Sequence, residues 1–140
     1  MNTDLMFSSA TDQWATPQEF FNKLNAEFVF TLDVAAQSEN AKCKHFYTRE
    51  QDGLKQVWKG RCFMNPPYGR EIGKWVEKAY ISSKTSADLV VCLLPSRTDT
   101  KWFQDFILPH AEIRFIRGRL KFGNSKNAAP FPSLIAIFKK

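Results

Sequence analysis

Apolar residues in this chain form short continuous runs that alternate with sets of apolar residues at helical spacing. Continuous runs are typical of buried strands, and they predict strands at 28–34, 61–64, 89–94, 113–116 and 134–138, with a shorter one at 45–47. The helically spaced sets predict helices at 16–26, 72–83 and 101–108. Strands and helices that alternate in this way predict an α/β sandwich.

The first helix has a strong start. Thr16 can act as its N-cap, Pro17 suits the first helical position, and Glu19 can close a capping box. A helix N-terminus also offers free N–H groups to an anion. Two interpretations therefore stay open for Thr16 and Pro17: they only start the helix, or they also contact an anionic ligand.

The stretch Asn65-Pro66-Pro67-Tyr68 directly follows the strand predicted at 61–64. Proline has no N–H to donate to a sheet, so two prolines end the strand in a stiff, irregular turn. In an open α/β sheet, ligands bind outside the carboxyl ends of the strands. The stretch is therefore a candidate ligand site.

Two hydrogen-bond acceptors lie close together in this turn, the side-chain oxygen of Asn65 and the carbonyl of Pro66. They suit a planar NH2 group, because accepting both of its hydrogens draws the nitrogen lone pair out of conjugation and makes the nitrogen a nucleophile. Tyr68 can stack on the ring that carries this NH2 group. The alternative is a Pro-Pro turn with a buried tyrosine.

Carboxylates mark two further positions. Asp33 lies near the end of the strand predicted at 28–34, where a buried charge needs a cationic or hydrogen-bonding partner, and the small residues Ala35 and Ala36 after it permit close approach. Asp52 precedes a glycine, which is typical of a turn. On the residues alone, Asp33 is equally an ordinary strand-end carboxylate and Asp52 an ordinary turn residue.

The chain of 140 residues carries a net charge of +6, which favours a polyanionic partner such as nucleic acid. Residues 117–126, in its C-terminal third, combine glycines, one aromatic residue and basic residues, as a phosphate-binding loop requires. A solvated hairpin is the alternative. The predicted DNA contacts are Arg97, Lys101, Arg117, Arg119, Lys121 and Lys126.

The length fits a single domain over residues 1–140, with residues 1–13 as a possible loose arm and no stretch long enough for a separate target-recognition domain. Three cysteines without a C-x-x-C pair and two histidines at unsuitable spacing predict no metal site and no disulfide framework. No apolar run approaches the roughly 20 residues of a membrane span. The N-terminus lacks a signal-peptide pattern, so a cytoplasmic location is expected.

Several blocks together resemble the phage and prophage Dam-like DNA adenine-N6 methyltransferases. They cover nearly the whole chain in the family's order and are Trp14-Ala15-Thr16-Pro17, Leu32-Asp33-Val34-Ala35-Ala36, Glu39-Asn40-Ala41-Lys42-Cys43, Asp52-Gly53-Leu54, Asn65-Pro66-Pro67-Tyr68 and Gly118-Arg119-Leu120-Lys121-Phe122. The resemblance implies a Rossmann-like methyltransferase sandwich, mostly parallel with one antiparallel strand near the C-terminus. It also implies S-adenosylmethionine as cofactor, DNA as substrate, and a host infected by a phage or carrying a prophage.

Residue roles follow from the same resemblance. Catalysis falls to Asn65, Pro66, Pro67 and Tyr68. The implied cofactor-binding residues are Trp14, Thr16, Pro17, Asp33, Ala35, Ala36, Asp52, Leu54 and Asn65. Within that set, the Thr16-Pro17 pair lies beside the methionine carboxylate, Asp33 near the methionine amino group, and Asp52 at the cofactor's adenine.

The chain departs from common patterns at two places: Ala35 and Ala36 replace glycines, and Asn65 replaces the more common aspartate. Two other hypotheses remain. The two alanines and the missing recognition domain leave open a non-catalytic DNA-binding protein on a degenerate methyltransferase scaffold, and the motif N-P-P-Y, which protein glutamine methyltransferases share, leaves open a protein glutamine methyltransferase. Related motifs also serve methylation of cytosine N4. Without a recognition domain, sequence reading would depend on the loops at 96–101 and 117–130 or on a second subunit in a homodimer.

Overall fold

A computed structural model describes residues 14–123 and 126–140. Five strands form one sheet in the order β1-β2-β3-β5-β4. Their bounds are β1 Leu32–Asp33, β2 Gly60–Met64, β3 Ala87–Pro95, β4 Glu112–Phe115 and β5 Ser133–Lys139. The loose arm predicted at 1–13 lies outside the described residues.

Strand direction divides the sheet. β1, β2 and β3 pair in parallel, whereas β5 is antiparallel to both β3 and β4. β4 therefore points the same way as the first three strands, and β5 is the antiparallel strand near the C-terminus. The predicted α/β architecture is confirmed.

The helices are α1 Gln18–Phe28, α2 Ile72–Lys84 and, after β3, a π-helix at Phe103–Ile107 that continues into the short α3 Leu108–His110. A 3₁₀ turn, Gly53–Lys55, precedes β2. α2 buries Trp75, Val76 and Ala79 on one face, as its helical spacing predicts. The helix predicted at 101–108 exists, but its central turn is wider than an α-helix and it extends to residue 110.

The strand predicted at 28–34 is wrong over most of its length. α1 continues to Phe28, Val29 adopts a left-handed conformation with φ 52°, and only Leu32–Asp33 pair as a strand. The side chain of Asn25 accepts a hydrogen bond from the N–H of Phe30 just beyond the helix end. The apolar run instead fills the core at the end of the helix, where the rings of Phe28 and Phe30 lie 5.8 Å apart.

Two smaller predictions also need correction. The strand at 45–47 is reduced to a single parallel bridge between Asp33 and Phe46. Thr16 does not cap α1: the N-cap residue is Pro17, and no side chain caps the helix. The Thr16 hydroxyl is used elsewhere, as described below.

The fold brings separate parts of the chain to one edge of the sheet. β1, β2, β3 and β4 share a direction, so the residues that follow them, after Asp33, Met64, Pro95 and Phe115, meet at their carboxyl ends. Beneath this edge the core strands β2, β3 and β5 are largely buried. Among the described residues, no helix is long and apolar enough to cross a membrane.

Candidate active site

A cavity of about 510 Å³ opens at the carboxyl ends of β1 and β2. Most residues that the sequence predicts for cofactor binding and catalysis line it, although they come from four separate parts of the chain. These are Trp14, Thr16, Asp33, Ala35, Ala36, Asp52, Leu54, Asn65, Pro66 and Pro67. Pro17 and Tyr68 do not line it.

Asn65 occupies the centre of this arrangement. Its side-chain Nδ2 donates to the main-chain carbonyl of Trp14 and to the hydroxyl of Thr16, the latter at 3.0 Å. A carbonyl oxygen can only accept, so this contact determines which end of the amide is nitrogen. The other end, Oδ1, is buried and has no hydrogen-bond partner among the described residues. A buried acceptor left without a partner costs about 1–3 kcal/mol, so the site favours a ligand that brings a donor.

The two prolines beside Asn65 hold a second acceptor. Pro66 is buried and its main-chain carbonyl accepts no hydrogen bond from the described residues. Neither proline has an N–H that could compete for an acceptor. The turn thus presents two carbonyl oxygens without a hydrogen-bond partner among the described residues, one from a side chain and one from the main chain, at consecutive residues.

Tyr68 lies under the sheet edge rather than on the cavity wall. Only 4% of its surface is exposed, and its hydroxyl donates to the carbonyl of Leu93 at 3.0 Å. Its ring contacts Phe122 edge-on at 6.3 Å and Phe131 at 5.7 Å between centroids. Burial raises the pKa of Tyr68 well above its ordinary value, although the nearby charge of Arg97 opposes the shift. The predicted stacking of a base on Tyr68 therefore requires Phe122 and Phe131 to move.

Asp33 is a buried carboxylate at the end of β1. Its two oxygens accept from the main-chain N–H groups of Ala35 at 3.3 Å and Lys42 at 3.1 Å. Burial raises the pKa of Asp33 to about 6, against the lowering effect of these two hydrogen bonds. The carboxylate thus shapes the cavity wall from residue 33 to residue 42, and a cationic ligand in the cavity would favour its charged form.

The Asp52 turn is built by close packing. Asp52 has a positive φ of 55°, and its side chain accepts from the N–H of Leu54 at 3.1 Å. Gly53 allows the turn to reach the end of β1, since a Cβ there would lie 2.2 Å from the carbonyl oxygen of Val34. The carbonyl of Gly53 in turn accepts from the Trp58 indole at 2.8 Å. This wall of the cavity is fixed by contacts that no larger residue at 53 would permit.

The six predicted DNA contacts are exposed cations in the segments that follow β3 and β4. Arg97 and Lys101 follow β3, whereas the others lie in the connection from β4 to β5, residues 116–132. All six residues are exposed, and within the described part of the chain none of them forms an ion pair. They therefore remain available to a polyanion.

An aromatic cluster of Trp14, Phe122 and Phe131 joins the β4–β5 connection to the start of the described chain. This cluster was not predicted from the sequence. The Trp14 ring contacts Phe122 at 5.6 Å and Phe131 at 5.1 Å, both edge-on. The N–H of Gly123 donates to the carbonyl of Ala15 at 2.8 Å.

Three cations on the cavity wall, Lys42, Arg49 and Arg70, were also missed as site residues. Arg70 follows the Asn65 turn at a distance of five residues in sequence, so its position was a usable signal. Lys42 and Arg49 follow β1 in a segment whose polar composition is typical of any surface loop.

These features define an α/β protein with a ligand cavity at a sheet edge, paired carbonyl acceptors beside it and a cationic rim. No group of three or more potential metal-ligating side chains is found among the described residues.

Comparison with known proteins identifies the family. The family model described as "DNA N-6-adenine-methyltransferase (Dam)" matches residues 4–139. A protein of Haemophilus phage HP1 named DNA N-6-adenine-methyltransferase is 38% identical, with 94% of this chain and 80% of the relative covered. A protein of the same name from Escherichia phage T1 is 35% identical over 78% of this chain and 46% of its own length. The putative methyltransferase YfdM of Escherichia coli K12 is 42% identical over 41% of this chain and 71% of its own length. The chain belongs to the DNA N-6-adenine-methyltransferase (Dam) family, which confirms the resemblance seen in the sequence.

Proposed function

We propose that this chain transfers a methyl group from S-adenosylmethionine to the N6 amino group of adenine in DNA, and that Asn65 and Pro66 bind that amino group. As a member of the family, the chain is an adenine-specific DNA methyltransferase. The observation that carries the assignment of residues is the buried, unpartnered Oδ1 of Asn65 next to the free carbonyl of Pro66. Three parallel strands and an antiparallel strand near the C-terminus support a Rossmann-like methyltransferase sheet as the scaffold.

The cavity fits the proposed cofactor in size and chemistry. Its volume lies within the roughly 300–1,000 Å³ of small-molecule sites. Asp33 would face the methionine ammonium group, and Thr16 would lie beside the carboxylate, whereas Pro17 does not line the cavity. When bound, S-adenosylmethionine supplies an electrophilic methyl group on a sulfonium.

The adenine of the cofactor would lie at the Asp52 turn. Asp52, whose second oxygen accepts no hydrogen bond from the described residues, would accept from the adenine amino group while Leu54 packs on the ring. Trp14, Ala35 and Ala36 would complete the wall.

The contribution of the chain to the reaction is positioning and charge stabilisation. Asn65 Oδ1 and the Pro66 carbonyl would accept the two hydrogens of the target amino group and stabilise the positive charge that develops on its nitrogen. Their positions are set before the substrate arrives, because two prolines stiffen the main chain and two acceptors hold the Asn65 nitrogen. The target base must be flipped out of the stack, at a cost of a few kcal/mol, and it would stack on Tyr68 once Phe122 and Phe131 have moved aside.

The exposed cations along the same edge would hold the DNA backbone, in the cytoplasm of a bacterium infected by a phage or carrying a prophage. Because no described acidic side chain pairs with them, each can release a counterion from DNA when it binds a phosphate. Those on the β3 side are Arg97 and Lys101, and those on the β4–β5 side are Arg117, Arg119, Lys121 and Lys126.

The test is transfer of a labelled methyl group from S-adenosylmethionine to unmethylated DNA, followed by nucleoside analysis. The wild-type chain is expected to produce N6-methyladenine. At saturating cofactor, Asn65→Ala is expected to lower the rate about 100-fold or more, the usual effect of removing one group that stabilises a developing charge. Asn22→Ala, on the exposed face of α1, is the matched control and should keep the wild-type rate. Undiminished transfer by Asn65→Ala would contradict the assignment, and N4-methylcytosine would contradict the choice of base.

The two other hypotheses that the sequence left open give distinct outcomes in the same assay. A non-catalytic DNA-binding protein predicts DNA binding by the wild-type chain with neither methyl transfer nor cofactor binding. Transfer to glutamine side chains of proteins, with none to DNA, would instead support the protein methyltransferase hypothesis.

A further inference from the structure

We propose that Thr16 and the main-chain carbonyl of Trp14 are positioning groups that orient the side chain of Asn65 and make position 65 specific for asparagine over aspartate. This inference rests on the proposed function, because it concerns the residue that would accept the target amino group. It assigns the segment 14–16 a role in catalysis in addition to its place on the cavity wall.

The donors and acceptors around Asn65 determine the orientation of its side-chain amide. The amide nitrogen has two hydrogens and two acceptors, the Trp14 carbonyl and the Thr16 hydroxyl. With both hydrogens used, rotation of the amide by a half-turn would leave an oxygen against the Trp14 carbonyl. The two contacts therefore keep Oδ1 on the other side, where no described group satisfies it.

An aspartate at position 65 would face the same two groups. The Thr16 hydroxyl could rotate and donate to a carboxylate, but the Trp14 carbonyl has no hydrogen and would face a charged oxygen. An ionised carboxylate at position 65 is therefore disfavoured. A protonated carboxyl group fits there, because its O–H can donate to Trp14 while the other oxygen remains an acceptor.

The segment 14–16 is held from both sides. Thr16 is only 5% exposed, and α1 begins two residues after it. On the other side, Gly123 donates to the carbonyl of Ala15, and the Trp14 ring packs against both Phe122 and Phe131. In the protein without bound DNA, the Trp14 carbonyl and the Thr16 hydroxyl thus have little freedom to move away from a charged residue at 65.

The stability of Asn65→Asp tests the inference without cofactor or substrate. Melting temperatures are compared between wild type and variant at each pH, so that contributions common to both cancel. The Tm of Asn65→Asp should approach that of wild type near pH 4.5 and fall several degrees below it at pH 8, where the carboxyl group must ionise. The other charged groups that line the same cavity, common to both proteins, are Asp33, Lys42, Arg49, Asp52, Arg70 and Glu71.

Asn40→Asp is the matched control. Asn40 also lines the cavity, but its side-chain oxygen accepts from the N–H of Gln37 at 2.8 Å, a contact that a carboxylate keeps. Its Tm difference from wild type should change little between pH 4.5 and 8. A Tm difference for Asn65→Asp that is equally flat would overturn the inference.

Kinetics of two Thr16 variants separate hydrogen bonding from packing. Thr16→Val keeps the shape and removes the acceptor, whereas Thr16→Ser keeps the acceptor and removes a methyl group. At saturating cofactor, the kcat for methyl transfer should fall about tenfold in Thr16→Val and stay within about twofold of wild type in Thr16→Ser. A packing role predicts the opposite order, which would overturn the positioning role of Thr16.

The two proposals fail in different ways. A wild-type chain that methylates no DNA overturns the proposed function, while the Tm comparison still decides whether the segment 14–16 excludes a carboxylate. An active wild type with a flat Tm difference for Asn65→Asp overturns the positioning inference alone.

Discussion

The two halves of the sheet edge are built by opposite means. On the β1–β2 side, a buried carboxylate and a glycine with no room for a side chain form the cavity wall. On the β3–β4 side, six exposed cations have no ion-pair partner among the described residues. The first side resembles a protein core with a cavity in it, and the second a solvated electrostatic surface.

This contrast in packing and exposure determines which kind of ligand each side can recognise. Close packing around Asp33 and Gly53 defines a shape and so suits a small molecule. Exposed charge defines no shape and suits a long polyanion, whose affinity comes from counterion release. Asn65 follows β2, which lies between β1 and β3 in the sheet, so it stands where a methyl donor on one side and a nucleic acid on the other can meet.

A substitution at Gly53, in the close-packed cavity wall, is expected to reduce stability more than any other change proposed below. Gly53→Ala places a Cβ 2.2 Å from the carbonyl oxygen of Val34 and 2.9 Å from the Trp75 ring. Overpacking against main chain cannot relax easily, so we expect a loss of about 4 kcal/mol in the free energy of unfolding, together with loss of cofactor binding. Urea denaturation measures the first and calorimetric titration the second.

Gly73→Ala is the control for this substitution. Its added Cβ would lie 3.7 Å from Trp102, an ordinary contact, and it sits within α2, where alanine is favoured over glycine. Its stability should equal or slightly exceed that of wild type. If Gly53→Ala behaves like Gly73→Ala, the description of the wall as close-packed is wrong.

The buried charge of Asp33 is expected to change the free energy of unfolding by a somewhat smaller amount. Its pKa is raised to about 6 in the folded state, whereas an unfolded aspartate has a pKa of about 3.9. The folded chain therefore binds more protons between these values, and Asp33 makes stability greatest below about pH 4. As the pH rises through 6, about 3 kcal/mol is lost. A cationic ligand beside the carboxylate would offset this loss, so S-adenosylmethionine should raise the Tm more at pH 7.5 than at pH 5.

Urea denaturation from pH 4 to 7.5 measures this contribution as the difference between wild type and Asp33→Asn. Asp88→Asn, on an exposed position of β3, is the control and should parallel wild type. Parallel curves for Asp33→Asn as well would show that the buried carboxylate does not titrate in this range.

The smallest effect is expected on DNA affinity, when one cation on the β3–β4 side is removed. Lys121→Gln removes one exposed charge and should weaken DNA binding several-fold, lowering the slope of log affinity against log salt by about one. Cofactor affinity and stability should not change. Lys59→Gln removes a charge directly before β2, at the opposite edge of the sheet, and should leave the slope unchanged. Equal slopes for both variants would remove residue 121 from the DNA-binding surface.

Local chemistry explains which parts of the fold could be predicted. The strands at 61–64, 89–94, 113–116 and 134–138 and the helix at 72–83 were each found within a few residues, because continuous apolar runs and helical spacing reflect burial directly. The run at 28–34 failed, since an apolar run cannot distinguish a strand from the end of a helix that packs into the core. In the site, carboxylates and small residues at strand ends were found for the same local reason.

The order of the motifs, the turn at Asn65-Pro66-Pro67 and the cationic character of the C-terminal third follow from residues adjacent in the chain. The folded arrangement, in contrast, decides that Thr16, 49 residues before Asn65, holds its amide rather than caps a helix. It also decides that Tyr68 lies beneath Phe122 and Phe131. Such contacts form where packed elements bring together residues that are far apart in the sequence. No local pattern of residues specifies which of these elements pack against each other.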